Sequence, residues 1–373
     1  MTETQADSSA PLDRDADDRD AKPHVARVLV CADAVTRFLL SESRIMESGS
    51  MIAVPINGGG LCVKMVSGGG ANGLSLSFDD IILMQAVGTL FNAADEEGQK
   101  ALVTKKDVCM AFLGRWNLKE NYKIQEKDME QVEESIERLR TLSLEINANR
   151  QMASYGKNKE GDDGEFKWRM PSMLAMSDCK LTAGNGKVVD GYQIDDLPIL
   201  LQYARDIGQM MYVPTEIMTL GSSSSAQKSE RAKKSKQQGL KHSSSLRRKM
   251  LYYMLVELHR IKGKGTLSSD FKTKHGVIRI DSMIEAIGGK KTSKGNRRQY
   301  REIADDAKWI CDCLKSNGLI FEYEIDGQGK NMKLSIDAVL SLKERDAEID
   351  KAYRKDRKRQ RKLNAVRANR RLT

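Results

Sequence analysis

The stretch RRQYREIADDAKWICDCLKSNGLIFEYEIDGQGKNMKLSI, residues 297–336, decides the fold of the C-terminal part of the chain. Its apolar residues Tyr300, Ile303, Ala307, Ile310 and Leu314 recur every three or four positions. That period predicts one helix over 297–317 with a single face in a core. Gly318 stops it, because glycine enters the left-handed conformation that ends helices. Two extended runs follow, Leu319–Ile325 and Met332–Ile336. Between them, Asp326-Gly327-Gln328-Gly329 predicts a hairpin turn, with two glycines able to take positive φ.

Upstream, Leu246–Ile261 reads as a helix with Met250, Leu251, Met254, Leu255 and Leu258 on its apolar face. Val277–Ile280 is a short extended piece. Asp281 is expected to cap a helix over Met283–Ile287, which Gly288-Gly289 ends. Three helices followed by a hairpin is the order of a winged helix.

The same order occurs earlier. Ser77-Phe78-Asp79-Asp80 is a capping box opening a helix with Phe78, Ile81, Ile82, Val87, Leu90 and Phe91 on its apolar face. Thr104-Lys105-Lys106-Asp107 opens a shorter helix. Met129, Val132, Ile136 and Leu139 are the stripe of a third, Glu126–Arg140. Extended segments follow at Ser143–Asn147, Phe166–Met176 and Lys187–Ile194, then a short helix, Leu197–Ile207. Further out, Val25–Leu40 reads as a helix, and Met51–Ile56 with Leu61–Val66 as a hairpin around Asn57-Gly58-Gly59-Gly60.

The expected class is α+β, two tandem winged-helix (helix-turn-helix) domains with disordered or helical charged tails. Residues 1–24 form an acidic, disordered tail. Residues 25–73 form an N-terminal segment with a helix and a hairpin. The first winged-helix domain spans 74–218 and the second 246–337. The Ser/Lys-rich stretch at 219–245, GSSSSAQKSERAKKSKQQGLKHSSS from Gly221, reads as a flexible linker. A basic, helix-prone tail fills 338–373.

Charge separates the two parts. Residues 1–227 carry 24 Lys and Arg against 34 Asp and Glu, a net −10. Residues 228–373 carry 38 against 18, a net +20. A basic half is the expected footprint of nucleic acid, whose phosphates release counterions to Lys and Arg. Within it, residues 290–301 hold Lys290, Lys291, Lys294, Arg297, Arg298 and Arg301 and no acid. At 100° per residue, the three arginines and Lys308 lie opposite Ile303, with Asp305 and Asp312 among them. The second helix of a helix-turn-helix enters the major groove, so these seven basic residues are the expected DNA contacts. The lysines suit phosphates, and the arginines suit paired bonds to guanine. The third helix of the first unit carries six acids against three bases. That unit either touches DNA through other groups, such as Lys105 and Lys106, or serves protein contacts, with a dimerisation or regulatory role.

Catalytic patterns are missing. Gly289-Lys290 and Gly186-Lys187 both fail the Walker pattern, because Lys291 and Val188 stand where Ser or Thr is needed. His24, His242, His259 and His275 are scattered, with no HxH or HExxH spacing. Cys31, Cys62, Cys109, Cys179, Cys311 and Cys313 form no CxxC pair. The expectations are a binder rather than an enzyme, with no catalytic residue, metal or cofactor. Tyr252-Tyr253 is a weak alternative as a DNA-nicking nucleophile. Without a signal peptide or a long apolar run, a cytoplasmic protein without membrane contact is expected.

Four segments then carry a resemblance: GEFKWRMPSMLAM (164–176), NGKVVDGYQIDDLPILLQYARDIGQMMYVP (185–214), LRRKMLYYMLVELHRIK (246–262) and YREIADDAKWICDCLKSNGLIFEYEID (300–326). From Leu74 to Ile336 the chain resembles the tandem winged-helix replication initiators of bacterial plasmids and related phages. The resemblance implies a DNA-binding protein that recognises double-stranded origin repeats of a mobile element, assists local melting and recruits host replication proteins. It also implies a homodimer through the first winged helix. The long basic linker and both charged tails depart from the family. A winged-helix transcriptional regulator, or a scaffold or partition adaptor binding DNA nonspecifically, fits the same residues.

Overall fold

In a computed structural model, the chain is described at residues 25–33, 35–36, 45–46, 51–56, 59–67, 74–96, 101–118, 122–149, 167–182, 186–219, 244–287, 297–352 and 354. The acidic tail, nearly all of the 219–245 stretch and most of the basic tail lie outside them. The class is mixed α+β. Two compact units divide the chain: Met1–Val256 with Ser282–Ser293, and Glu257–Asp281 with Lys294–Thr373.

The first unit begins with β1 (Arg27–Cys31), which pairs antiparallel with β11 (Met210–Pro214). The helix expected from Val25 is therefore a strand at its start. Val28, Leu29, Val30 and Cys31 are consecutive and all buried. A continuous apolar run covered on both faces is a strand pattern, and the residues counted toward helical spacing could not distinguish the two. The short strands β2 (Ile45–Met46) and β5 (Leu74–Ser75) pair with each other. The expected hairpin exists as β3 (Met51–Ile56) and β4 (Gly59–Ser67). It is extended by β7 (Leu142–Asn147) and β8 (Lys167–Met170) into a sheet ordered β3-β4-β7-β8.

The helical centre of this unit is α1 (Phe78–Glu96), α2 (Lys105–Phe112) and α3 (Glu126–Thr141). The capping box at Ser77 is made: Ser77 N donates to Asp80 Oδ2 at 2.7 Å, and Asp80 N donates to Ser77 Oγ at 3.1 Å. Asp80, fully buried, also accepts from Arg138 Nη2 at 2.8 Å, so one carboxylate starts α1 and ties it to α3. Thr104 and Asp107 form a second capping box at α2. The strand before α2, β6 (Leu102–Thr104), joins β9 (Met176–Thr182) and β10 (Val188–Ile194) in a sheet ordered β6-β10-β9. Gly191 in β10 is required by close approach. A Cβ there would lie 2.6 Å from the Val103 carbonyl oxygen.

The strand expected over Phe166–Met176 is two strands in different sheets. Pro171 has no N–H for a ladder. After it, Met173 N donates to Leu142 O at 2.7 Å while Met173 and Leu174 turn into the core. The chain then runs through α4 (Ile199–Asp206), β11 and α5 (Thr215–Thr219). It resumes at α6 (Ser244–Lys264). The division between units falls inside α6, after Val256. In the first unit, Arg248 of α6 is buried with its guanidinium 4.7 Å from the Phe112 ring centre, and Lys249 Nζ reaches Asp79 Oδ2 at 2.7 Å.

In the second unit, β12 (Thr266–Leu267), β13 (Thr273–Arg279), β14 (Ile320–Asp326) and β15 (Lys333–Val339) form a sheet ordered β12-β13-β15-β14. The helix α7 (Ile280–Ala286) spans the boundary, and α8 (Arg297–Ser316) precedes the hairpin. Asp281 does not cap α7 as expected, because the helix already includes Ile280; its carboxylate accepts from Tyr300 instead. Gly318 has φ +71° and ends α8. Gly327 takes φ +87° and Gly329 +56° in the hairpin turn, so the glycine reading there holds. The helix-prone tail expected from residue 338 turns helical later. β15 runs to Val339, and a helix α9 (342–352) starts after Ser341, where Ser341 N donates to Glu344 Oε2 at 2.6 Å.

The sequence of elements repeats. In the first case it is α1, β6, α2, α3, β9, β10; in the second it is α6, β13, α7, α8, β14, β15. In both, the last strand is central in its sheet, between the strand after the first helix and the other arm of the hairpin. The first copy differs by inserting β7 and β8 between its third helix and its hairpin.

Candidate nucleic-acid interface

The helix α8 presents two faces. Tyr300, Ile303, Ala304, Ala307, Ile310, Cys311 and Leu314 are buried. Arg298, Arg301, Asp305, Lys308, Asp312 and Lys315 are exposed along the opposite stripe. The hydrophobic residues fix the rotation of the helix, and the charged ones follow from it.

The two ends of that stripe are not equivalent. Near the C-terminus, Asp312 accepts a short hydrogen bond from the Tyr323 hydroxyl, and Lys315 Nζ reaches Glu322 Oε1 at 2.9 Å. These pairs are internal to the helix–hairpin contact. At the N-terminal end, Arg298 is 85% exposed and its Nε donates to Glu302 Oε1 at 2.9 Å. That bond holds its guanidinium pKa further above the usual arginine value. Arg301 and Lys308 make no ion pair among the described residues. An exposed pair such as Arg298–Glu302 is weakened by solvent and exchanges readily for a phosphate or base.

Of the seven expected contacts, Lys290, Lys291 and Lys294 lie outside the described residues. Arg297 is placed as the first residue of α8, its side chain outside them. Arg298, Arg301 and Lys308 are brought onto one exposed face. Three further basic groups were not singled out from sequence: Arg279, Lys330 and Lys333. All are exposed, and the register sets Arg279 directly opposite Lys333 beside the hairpin turn. Like charges opposite each other across strands are unfavourable unless an anion or acid lies between. Lys333 also pairs across from Asp326, which relieves part of that repulsion. The signal was available only through pairing register, since these residues are far apart in sequence.

In the first unit, α3 exposes Glu126, Glu130, Glu134 and Glu137. Lys105, one of the alternative contacts, is held by Glu133 at 2.7 Å, and Lys106 is half-buried. Lys105 and Arg140 flank the Tyr192 ring, 5.9 Å and 5.4 Å from its centre, in a cleft of about 560 Å³. Acidic Glu133, Glu134 and Glu137 border the same cleft, so its surface is mixed in charge.

Tyr252 is fully buried, and burial pushes its phenol pKa well up, the opposite of what a nucleophile needs. Tyr253 is half-buried. Cys31, Cys109 and Cys311 are buried, and burial raises each thiol, Cys109 to about 12. Among the described residues, no group of three or more His, Cys, Asp or Glu could hold a metal ion, and no helix is long and apolar enough to cross a membrane.

No protein-family model and no curated protein matches the chain. Among solved structures, the crystal structure of RctB domains 2-3 is similar at 13% identity, with a TM-score of 0.43, covering 84% of this chain and 99% of that one. A selenomethionine derivative of domains 2 and 3 of RctB is similar at 12% identity and a TM-score of 0.39, covering 80% and 93%.

Proposed function

We propose that the chain is a sequence-specific duplex DNA-binding protein, that its two repeats are winged helices, and that it initiates replication of a plasmid- or phage-like element by binding origin repeats. The observation that carries the DNA-binding part is the exposed N-terminal half of α8, where Arg298 and Arg301 point away from a core held by Tyr300, Ile303 and Ala307. In this reading α8 enters the major groove with those arginines at base edges. Arg279, Lys330 and Lys333 lie beside the adjoining turn and meet the backbone. The protein works by binding alone, without a catalytic group or cofactor. The initiator role rests on the sequence resemblance over residues 74–336.

The test has two steps. A duplex selected by the purified chain from a random pool is compared with a scrambled duplex. The gene and its flanking DNA are then asked to sustain an otherwise non-replicating plasmid. Preference of about 10³ or more for the selected duplex is expected, with replication that depends on directly repeated sites. Selective binding without replication fits a transcriptional regulator and ends the initiator reading. Equal binding to both duplexes fits the nonspecific scaffold and ends the DNA-readout reading.

A further inference from the structure

In the first unit, the end of α3 meets the hairpin β9–β10 in a cleft of about 560 Å³. Arg140 lies in the last turn of α3, and Lys105 is the first residue of α2. Tyr192 of β10 and Asp178 of β9 stand directly opposite each other in the ladder. All four line the cleft.

Hydrogen-bond donors outnumber acceptors at its floor. Tyr192 is 3% exposed, and its hydroxyl makes no hydrogen bond among the described residues. Burial pushes the phenol up, so at neutral pH the proton stays on the oxygen. Arg140 Nη1 meets Asp178 at 3.0 Å, while its Nε and Nη2 are buried without a partner. A buried donor left unmatched costs free energy, so this corner favours an incoming acceptor. Lys105 and Arg140 both lie beside the Tyr192 ring and make the corner attractive to a single negative charge.

The rim has the opposite bias. Glu134 and Glu137 are exposed, stand three apart on one face of α3, and make no ion pair among the described residues. They repel a nucleic-acid strand, which is negative along its whole length. A lone carboxylate with cations on either side is complementary to floor and rim together.

We infer that this cleft binds an extended peptide of a partner protein, seating one Asp or Glu carboxylate against the Tyr192 hydroxyl and the Arg140 guanidinium while flanking Lys or Arg residues meet Glu134 and Glu137. Its volume falls within the roughly 300–1,000 Å³ usual for sites that enclose a ligand group. The site goes beyond DNA reading by α8 and stands or falls without it.

The test uses the full chain, without DNA, and capped synthetic peptides. One has a single Asp between two pairs of Lys. A second has Asn in place of Asp, and a third keeps Asp but has Gln in place of every Lys. Fluorescence anisotropy should show the Asp–Lys peptide binding about tenfold tighter than the Asn peptide, as for one charge-assisted contact. Tyr192→Phe keeps the buried ring; it should remove most of that preference and leave the Asn peptide unchanged. Glu134→Gln with Glu137→Gln should weaken both Lys-bearing peptides alike and keep the preference for Asp. Equal binding of the Asp and Asn peptides, or no binding of either, overturns the carboxylate seat. So does a Tyr192→Phe chain that loses both peptides equally, since only packing would then have changed. Gln-bearing peptide that binds as tightly as its Lys counterpart overturns the role of the rim. Peptide affinity that falls as the chain's own concentration rises gives the cleft to a second copy. Weaker binding of the scrambled duplex by Tyr192→Phe gives it to nucleic acid. Either result overturns the choice of partner.

Discussion

The Tyr300 hydroxyl donates to Asp281 Oδ1 at 2.6 Å, joining the first turn of α8 to the first turn of α7. Tyr300 stands between Arg298 and Arg301 within one turn, so the bond sets the position of the basic end of α8. The hydrogen bond to Asp281, with burial adding to it, raises the Tyr300 phenol to about 12. An acid whose folded pKa is raised stabilises the fold fully below its unfolded pKa of about 10 and loses that contribution as pH rises toward about 12. Tyr300→Phe should therefore cost about 1–2 kcal/mol at neutral pH. The difference from the parent chain should shrink between about pH 10 and about pH 12. Denaturant titration at both ends of that window checks it; a pH-independent difference refutes the assignment.

The Lys274–Glu348 pair makes the opposite pH prediction. Burial pushes Glu348 up, but the Lys274 hydrogen bond and charge outweigh it and leave the carboxylate below its ordinary value. Glu344 behaves alike, with Ser341 and Lys262 overcoming its burial. Such groups stabilise above their unfolded pKa of about 4.3, and the contribution is lost as pH falls through the lower folded value. Glu348→Ala leaves the Lys274 ammonium buried with a weak partner and should cost about 2–4 kcal/mol at neutral pH. Adding Lys274→Met should recover most of that, since an apolar pair replaces a stranded charge. Chemical denaturation of the single and double variants measures both steps. No recovery in the double variant would mean that β13 does not pay for a stranded lysine.

Much of this geometry was legible in the sequence, and the failures are instructive. The stripe Tyr300, Ile303, Ala307, Ile310 and Leu314 located the buried face of α8 because helical period and burial are the same fact seen twice. Gly327 and Gly329 marked the turn because positive φ is close to exclusive to glycine. The β1 strand was missed because Val28–Cys31 is buried on both faces, which removes the alternation that distinguishes strand from helix. Asp281 was read as a cap because local spacing cannot see Tyr300, nineteen residues away. The Arg279–Lys333 pair and the Lys274–Glu348 pair were invisible for the same reason. Each is created by strand register or helix docking between residues more than fifty positions apart.

The two arginines of the exposed stripe should differ in effect. Arg298 already has Glu302 as a partner, whereas Arg301 makes no ion pair among the described residues. Arg301→Ala should weaken binding to the selected duplex by about 1–3 kcal/mol and relax preference at one base position. Arg298→Ala should cost less, because part of its charge is already engaged by Glu302. Titration on selected and scrambled duplexes separates base reading from phosphate contact. Equal losses on both for Arg301 would assign it to the backbone.

Purified protein with Mg²⁺, Mn²⁺ or ATP should neither nick supercoiled DNA nor hydrolyse nucleotide. Tyr252, the one tyrosine weighed as a nucleophile that is wholly enclosed, has a phenol that burial keeps protonated. Gel analysis of supercoiled substrate is sufficient. Site-specific nicking that disappears in Tyr252→Phe or Tyr253→Phe would make the protein an enzyme.

The helices α3 and α8 occupy equivalent places in the repeated order of elements, yet their exposed faces carry opposite charge. On α3 these are Glu126, Glu130, Glu134 and Glu137; on α8 they include Arg298, Arg301 and Lys308. A carboxylate row brought against phosphates is repelled by both strands, so α3 is not expected to read DNA. It is suited to a protein partner, and a second copy of the chain is the occupant implied by the sequence resemblance. Glu130→Lys with Glu134→Lys reverses the centre of the row without touching its buried residues Val132, Ser135, Ile136 and Leu139. The double variant should keep its affinity for the selected duplex, gain nonspecific affinity at low salt through four added units of positive charge, and lose self-association in sedimentation equilibrium. Arg138 and Arg140 of the same helix and Lys105 of α2 line the cleft beside the row, and adding cations near them raises repulsion against a partner that would pair with the acids. A gain in affinity for the selected duplex larger than the gain on a scrambled one would place α3 on the DNA and make the two repeats equal readers. Unchanged self-association with unchanged DNA binding would leave the acidic row as solvated surface and move the dimer contact elsewhere.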